Sequence, residues 1–239
     1  MSFVSTAAVE STEASMRRIV RAYDSPIVRA YCTVRFMILR QRFLLEIGQY
    51  LPASGQLLDL GCGFGLFALY FAIRNPGVHV RGFDLNERRV DAARRAAAAL
   101  DVQNAQFHVG DAASFRLKDP ITAAYMLDLI HHIPVASVRP LMETIASNLI
   151  PGGRLLVKDI EPSNRSKLAF TWALDKLMDY RTPVRYWPPR EVQPLLESLG
   201  FTVFQHRMVD YLPYPHILYI ATRHGRDGDH SGPGQPAGG

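Results

Sequence analysis

Residues 57–65 read Leu-Leu-Asp-Leu-Gly-Cys-Gly-Phe-Gly, and no other stretch concentrates so much potential chemistry. An apolar run ends in a Gly-x-Gly-x-Gly turn (Gly61, Gly63, Gly65), with Cys62 inside it and a second apolar run after it. Glycines at that spacing let the backbone turn tightly and approach a ligand closely. Two more carboxylates follow at the ends of apolar runs. Asp84 closes Val-His-Val-Arg-Gly-Phe-Asp, where it can accept bonds from both hydroxyls of a ribose, and Asp111 follows Gly110. Asp111 can accept from an adenine amino group or cap a helix, and the two roles are compatible.

A dinucleotide would use much of this equipment. Two details point elsewhere. The third glycine of a dinucleotide loop would fall at position 66, which is Leu66. Asp59 stands two residues before the first glycine, where a carboxylate repels a pyrophosphate and attracts a cation. S-adenosylmethionine (SAM) carries an ammonium and a sulfonium, so it fits better than NAD.

Methyl transfer from a sulfonium is an in-line displacement that mostly needs alignment and exclusion of water. A base is required only when the acceptor carries a proton. Candidates after two later strands are Asp128, His131 and His132, then Asp159 and Glu161. His132 is the first choice for a base, because histidine exchanges a proton near neutral pH. His131 is expected to face away from the site and to tolerate replacement. The competing reading is that both histidines begin a helix and bond locally, with Asp159 a cap or salt-bridge partner instead of a holder of the acceptor. Lys158 reads as a surface or strand-edge lysine, and no metal enters the scheme.

Elements must hold these groups in place. Short apolar runs at 56–60, 78–85, 105–109, 121–127 and 154–160 alternate with helical segments at 66–74, 87–100 and 135–150, plus a weak turn at 112–115, which implies a parallel sheet of βαβ units. Two further strands, 201–206 and 216–222, have no helix between them and should pair antiparallel. A helix is expected at 12–23 and a long one at 27–50, its apolar stripe running through Ile27, Tyr31, Val34, Ile38 and Leu45. Further helices are expected at 164–180 and 191–199. The Gly/Pro-rich residues 224–239 read as a disordered tail.

In order and spacing, Asp59–Gly65, Asp84, Gly110-Asp111, residues 126–134 (Met-Leu-Asp-Leu-Ile-His-His-Ile-Pro) and residues 151–156 (Pro-Gly-Gly-Arg-Leu-Leu) resemble the successive motifs of class I SAM-dependent methyltransferases, in the branch acting on small molecules, quinones and lipid precursors. The resemblance covers about residues 55–222. It implies an α/β, Rossmann-like seven-stranded sheet in the order 3-2-1-4-5-7-6 with the last strand antiparallel. It also implies that Asp59, Gly61, Cys62, Gly63, Gly65, Asp84, Leu85, Asp111 and Ala112 bind SAM, with Leu127 and Asp128 at the edge of the site. Residues 1–50 then form a helical cap and 161–200 a cap insertion upon a domain spanning 51–223. The caps hold Tyr23, Tyr31, Phe36, Phe170, Trp172, Tyr180, Tyr186 and Trp187, and any that face the site suit an apolar, aromatic or acyl substrate, small or carrier-bound.

Hydrophobic residues make up 48% of the chain and charged residues 21%, which excludes a disordered protein. No apolar stretch is long enough to cross a bilayer, the N-terminus lacks the pattern of a secretory signal, and there are two cysteines, so a cytoplasmic setting is expected. The net charge of +5, with Arg17, Arg18 and Arg21 on the first helix, reads either as solvated helix faces or as attraction to an acidic partner or membrane surface. An RNA methyltransferase is a weaker reading, since position 127 begins Leu-Asp-Leu where an amino-methylating enzyme has Asn/Asp-Pro-Pro-Tyr, and no RNA-binding module is visible. A SAM-binding subunit without catalysis stays open, and the oligomeric state is not legible.

Overall fold

A strand apolar on both faces has to lie inside a sheet covered on both sides. β1 (Gly55–Leu60) is of that kind, with Leu57, Leu58 and Leu60 all buried, and in the computed structural model it is central, parallel to β2 (Val78–Asp84) on one side and β4 (Ile121–Leu127) on the other. The structure describes residues 11–39, 41–111, 119–162, 185–208 and 216–225. β3 (Ala105–Val109) extends the sheet beyond β2 and β5 (Leu149–Ile160) beyond β4, both in parallel. β6 (Phe201–Met208) and β7 (His216–Arg223) complete it. β7 inserts between β5 and β6 and is antiparallel to both, giving the order β3-β2-β1-β4-β5-β7-β6. The expected sheet is therefore present, with its antiparallel strand where the absence of a crossover requires it.

Helices cover both faces. On one face, α1 (Thr12–Arg21), α2 (Pro26–Ile38), α3 (Gln41–Gly48), α4 (Leu66–Arg74) and α5 (Glu87–Ala99) share a core with β1–β3, built from residues such as Ile19, Phe36, Leu69, Val90 and Phe107. On the other, α6 (Val135–Asn148) and α7 (Pro189–Ser198) bury Val138, Leu141, Met142, Ile145, Val192 and Leu196 against β4, β5 and β7. The apolar stripe of α6 is the one the sequence presents, except that Val135 is exposed.

The long helix expected at 27–50 is two helices. Leu39 leaves the helical region (φ −98°, ψ 80°) and is wholly buried, and α3 starts at Gln41. The stripe shifts as well: α2 and α3 bury Cys32, Phe36, Phe43, Leu44 and Ile47, while Ile27, Val34 and Leu45 face solvent. More apolar residues were available than one straight helix can bury, and the bend turns Phe43, Leu44 and Ile47 into the core. At the far end of α6, residues 149–150 are already strand, so β5 runs through Pro151-Gly152-Gly153, with a register shift against β4 between Ile121 and Ala123. Ala112 and the 112–115 turn, the helix at 164–180 with Phe170, Trp172 and Tyr180, and residues 226–239 of the tail lie outside the described residues.

Candidate active site

The glycine turn lies at the carboxyl end of β1 and is tied to β2. Gly61 and Cys62 both donate their N–H to the carbonyl of Phe83, at 2.8 and 3.0 Å. Two of the glycines are required for different reasons. At Gly65 (φ +75°) an added Cβ would stand 2.7 Å from the Phe107 ring and 2.8 Å from Ala93, so the turn packs onto β3 and α5 without room for a methyl group. Gly63 (φ +53°) has nothing within 4 Å of such an atom, so it is an open position where backbone is presented outward.

Asp84 uses both oxygens to hold this turn. Oδ2 accepts the N–H of Gly63 at 2.9 Å and Oδ1 accepts the N–H of Asn86 at 2.8 Å. Leu85 beside it is 73% exposed, and Asp111, after β3, is exposed too. Asp59 lies beneath the turn, buried, and accepts the phenol O–H of Tyr125 at 2.8 Å. Burial pushes its carboxyl up to about 7, with the Tyr125 bond opposing the rise and the nearby Asp84 carboxylate adding to it. Cys62 is buried against the same carboxylates, and its thiol is held well above the ordinary range by burial first and their charge second, which leaves it inert as a nucleophile. An outward-facing backbone loop, a bare leucine beside it and two carboxylates that pair with no cation among the described residues suit a positively charged nucleoside ligand better than a pyrophosphate.

A second group of charges stands at the ends of β4 and β5. Asp128 follows β4 in the left-handed region (φ +58°), uncommon for a residue other than glycine. Its carboxylate pairs with Arg35 of α2 at 2.5 Å and with Lys158 of β5, and its N–H donates to the Lys158 carbonyl at 2.9 Å. Lys158, expected at the surface, is wholly buried, its ammonium against Asp128 and near the Phe43 ring. Burial alone would raise Asp128, but Lys158 and Arg35 outweigh it and hold the carboxyl far below the usual range. His216, at the start of β7, is pushed down to about 2 by burial and by the Lys158 charge, so it is neutral.

The third group joins the turn after β4 to the end of β5. Ile130–His132 form one turn of 3₁₀ helix. His131 is 1% exposed, and its Nδ1 lies 2.6 Å from Asp159 Oδ1. Asp159 also accepts the backbone N–H of His131 at 3.2 Å and of Ile160 at 2.7 Å. The His131 ring lies 4.1 Å from that of His132 and 5.6 Å from that of Tyr186, and its carbonyl accepts the N–H of Arg185 at 2.9 Å. His131 therefore faces inward and is bound to a carboxylate, whereas His132 is partly exposed. Glu161, the remaining candidate, is clamped by Arg207 through two bonds of 2.9 and 2.8 Å.

The first helices reach the glycine turn itself. Tyr23 donates to the carbonyl of Phe64 at 2.8 Å, and Tyr31 packs its ring 5.2 Å from that of Phe64. Phe36 and Trp187 are core residues. Tyr125, Arg35 and His216 escaped the sequence reading. Tyr125 had a signal, since the parallel register sets it directly beside Asp59. Arg35 and His216 come from distant segments and had none.

A family model described as a methyltransferase domain matches residues 33–206. The chain is 29% identical over 172 residues to a tRNA (guanine-N(7)-)-methyltransferase of Rubrobacter xylanophilus, covering 64% of this chain and 75% of that protein. Among solved structures, YcgJ from Bacillus subtilis superposes with a TM-score of 0.63 at 19% identity, covering 77% of this chain and 99% of that one. Magnesium protoporphyrin IX methyltransferase (ChlM) from Synechocystis PCC 6803, with S-adenosylhomocysteine (SAH) bound, superposes with a TM-score of 0.60 at 19% identity, covering 89% and 94%.

Proposed function

Since the chain belongs to the methyltransferase family and its cofactor is SAM, we propose that it methylates a hydroxyl or carboxyl oxygen of a small apolar or aromatic molecule, free or carrier-bound. Asp59, Gly61, Cys62, Gly63, Gly65, Asp84 and Leu85 would hold SAM, with Asp111 and Ala112 on its adenine side and Leu127 and Asp128 at the far edge. When bound, SAM supplies a methyl group on a good leaving group. The chain has then to align an acceptor, exclude water and, for a hydroxyl, take up its proton.

The observation that carries the reading is the His131–Asp159 pair. An Asp159 carboxylate that accepts from Nδ1 fixes the proton there and leaves the lone pair on Nε2. His131 is therefore our choice of base, Asp159 its positioning partner, and His132 the second candidate. The partly exposed rings of Tyr31 and Phe64, packed together at the glycine turn, support an apolar acceptor. Cys32 and Cys62 are buried and form no disulfide, which suits a reducing, cytoplasmic setting.

The RNA reading has the tRNA methyltransferase similarity in its favour. One experiment separates the two. SAM-loaded protein is incubated with phenols, aromatic acids, quinone precursors, acyl-carrier conjugates and bulk tRNA, and SAH formation and product mass are followed. Turnover on a phenol or acid supports the proposal. Turnover on tRNA alone, or SAH formed with none of them, overturns it.

A further inference from the structure

The outer face of α1 and α2 has a graded chemistry that neither the fold nor the cofactor site uses. A groove runs between the two helices. Successive positions around α1 pass from Met16 and Val20 on its floor to Glu13, Arg17 and Arg21 on its rim. The opposite wall, on α2, rises from buried Phe36 through Thr33 to Met37. Beyond Met37 the same turn-by-turn spacing brings Ala30, Val34 and Ile27 onto one outward ridge, with Met37 65%, Val34 53% and Ile27 81% exposed. Exposed apolar side chains scattered singly mean little, but these share one helix face and border an apolar groove.

We propose that this face is a docking surface for an anionic lipid bilayer, the α2 ridge entering the acyl boundary and Arg17 and Arg21 meeting lipid phosphates. Charge and apolarity together select this occupant. The ridge has to be covered by something apolar, which nucleic acid phosphates do not offer. The rim is cationic: Arg17 is held loosely by Glu13 at 3.7 Å, and Arg21 has no carboxylate partner among the described residues. Both features lie on one side of the molecule, as an interfacial helix pair requires. No helix among the described residues is long and apolar enough to cross a membrane, so the contact is with the surface. The proposal stands whichever acceptor is methylated.

Co-sedimentation with vesicles tests it, using phosphatidylcholine alone and phosphatidylcholine doped with phosphatidylglycerol, at low and high salt. The chain should sediment with the anionic vesicles only, and less at high salt. Val34→Asp with Met37→Asp should abolish binding. Arg17→Ala and Arg21→Ala should each weaken it about fivefold, and Glu13→Gln should strengthen it. SAH should raise the melting temperature of the parent and of every variant alike, which would show that each is folded. Absence of vesicle binding overturns the proposal, as does vesicle binding indifferent to Val34→Asp with Met37→Asp. A concentration-dependent dimer broken by those substitutions, or tRNA binding lost with them while vesicle binding persists, also overturns it and reassigns the face.

Discussion

Tyr125 on β4 and Asp59 on β1 face each other in the parallel register, and the phenol O–H donates a hydrogen bond to the carboxyl group at 2.8 Å. Burial, partly offset by that bond and reinforced by Asp84, raises Asp59 to about 7. A cationic ligand beside it would favour the ionised form and expel the proton. SAM affinity should therefore rise with pH through 7, by about tenfold from pH 6 to pH 8 for a single such group. Calorimetry in buffers of different ionisation enthalpy should record proton release near pH 6. Affinity flat over this range would remove Asp59 from contact with the cation. Without ligand the same group acts on stability in the opposite direction. The folded chain keeps a proton that the unfolded chain loses near pH 4, so Asp59 makes stability fall as pH rises from about 4 to about 7.

Asp128 draws its two cations from elements far apart in sequence, Arg35 from α2 and Lys158 from β5. Removing one member of a buried ion pair strands its partner, at a cost of about 3–5 kcal/mol. Lys158→Met should lower the urea midpoint by a corresponding amount, and adding Asp128→Asn should recover part of the loss. A Lys158→Met protein as stable as the parent would mean that Arg35 alone satisfies Asp128.

His131→Ala should lower turnover of a hydroxyl acceptor by roughly 10²–10⁴-fold, with SAH affinity little changed. Asp159→Asn should lower it too, since an amide that can donate to Nδ1 disturbs the proton placement Asp159 imposes. His132→Ala should cost less than either. In the parent the rate should fall as pH drops, because a protonated ring cannot accept a proton. Steady-state rates decide the matter: a folded His131→Ala enzyme with full turnover would leave alignment alone as the catalytic device.

Asp84→Ala removes the acceptor for Gly63 and Asn86 as well as the proposed acceptor for the SAM ribose. SAM binding should weaken by about 1–3 kcal/mol, read as a rise in Kd by isothermal calorimetry. The melting temperature should fall as well, because two backbone N–H groups of the turn lose their acceptor. Unchanged affinity would place the ribose elsewhere.

Motifs confined to one segment were readable from the residues alone. Alternating runs announced the sheet, the missing crossover between β6 and β7 announced their antiparallel pairing, and Gly61 and Asp84 both tie the glycine turn to β2. What failed depends on neighbours. Lys158 looked external because lysine seldom enters a core, but its counter-ion, Asp128, stands one strand away. His131, expected to face away from the site, is directed at Asp159 by a 3₁₀ turn, which matches the competing expectation that the histidines bond locally with Asp159 as a salt-bridge partner. Tyr23, on the first helical segment, bonds the carbonyl of Phe64 inside the glycine turn, a contact between segments far apart in sequence that no local pattern announces. The break at Leu39 carries no proline or glycine to announce it and follows from what the core can hold.

The insertion of β7 between β5 and β6 also bears on how the chain is made. Synthesis runs from the N-terminus, so β6 leaves the ribosome before the one strand it pairs with. Until His216–Arg223 follows, β5 presents an unpaired edge and β6 has no ladder to join, the condition under which strands pair with other chains. The half of the sheet that carries the glycine turn is under no such delay, because β1 to β4 already pair among themselves. A nascent chain stalled before residue 216 would thus hold the half that carries the glycine turn assembled while the edge of β5 stayed unpaired.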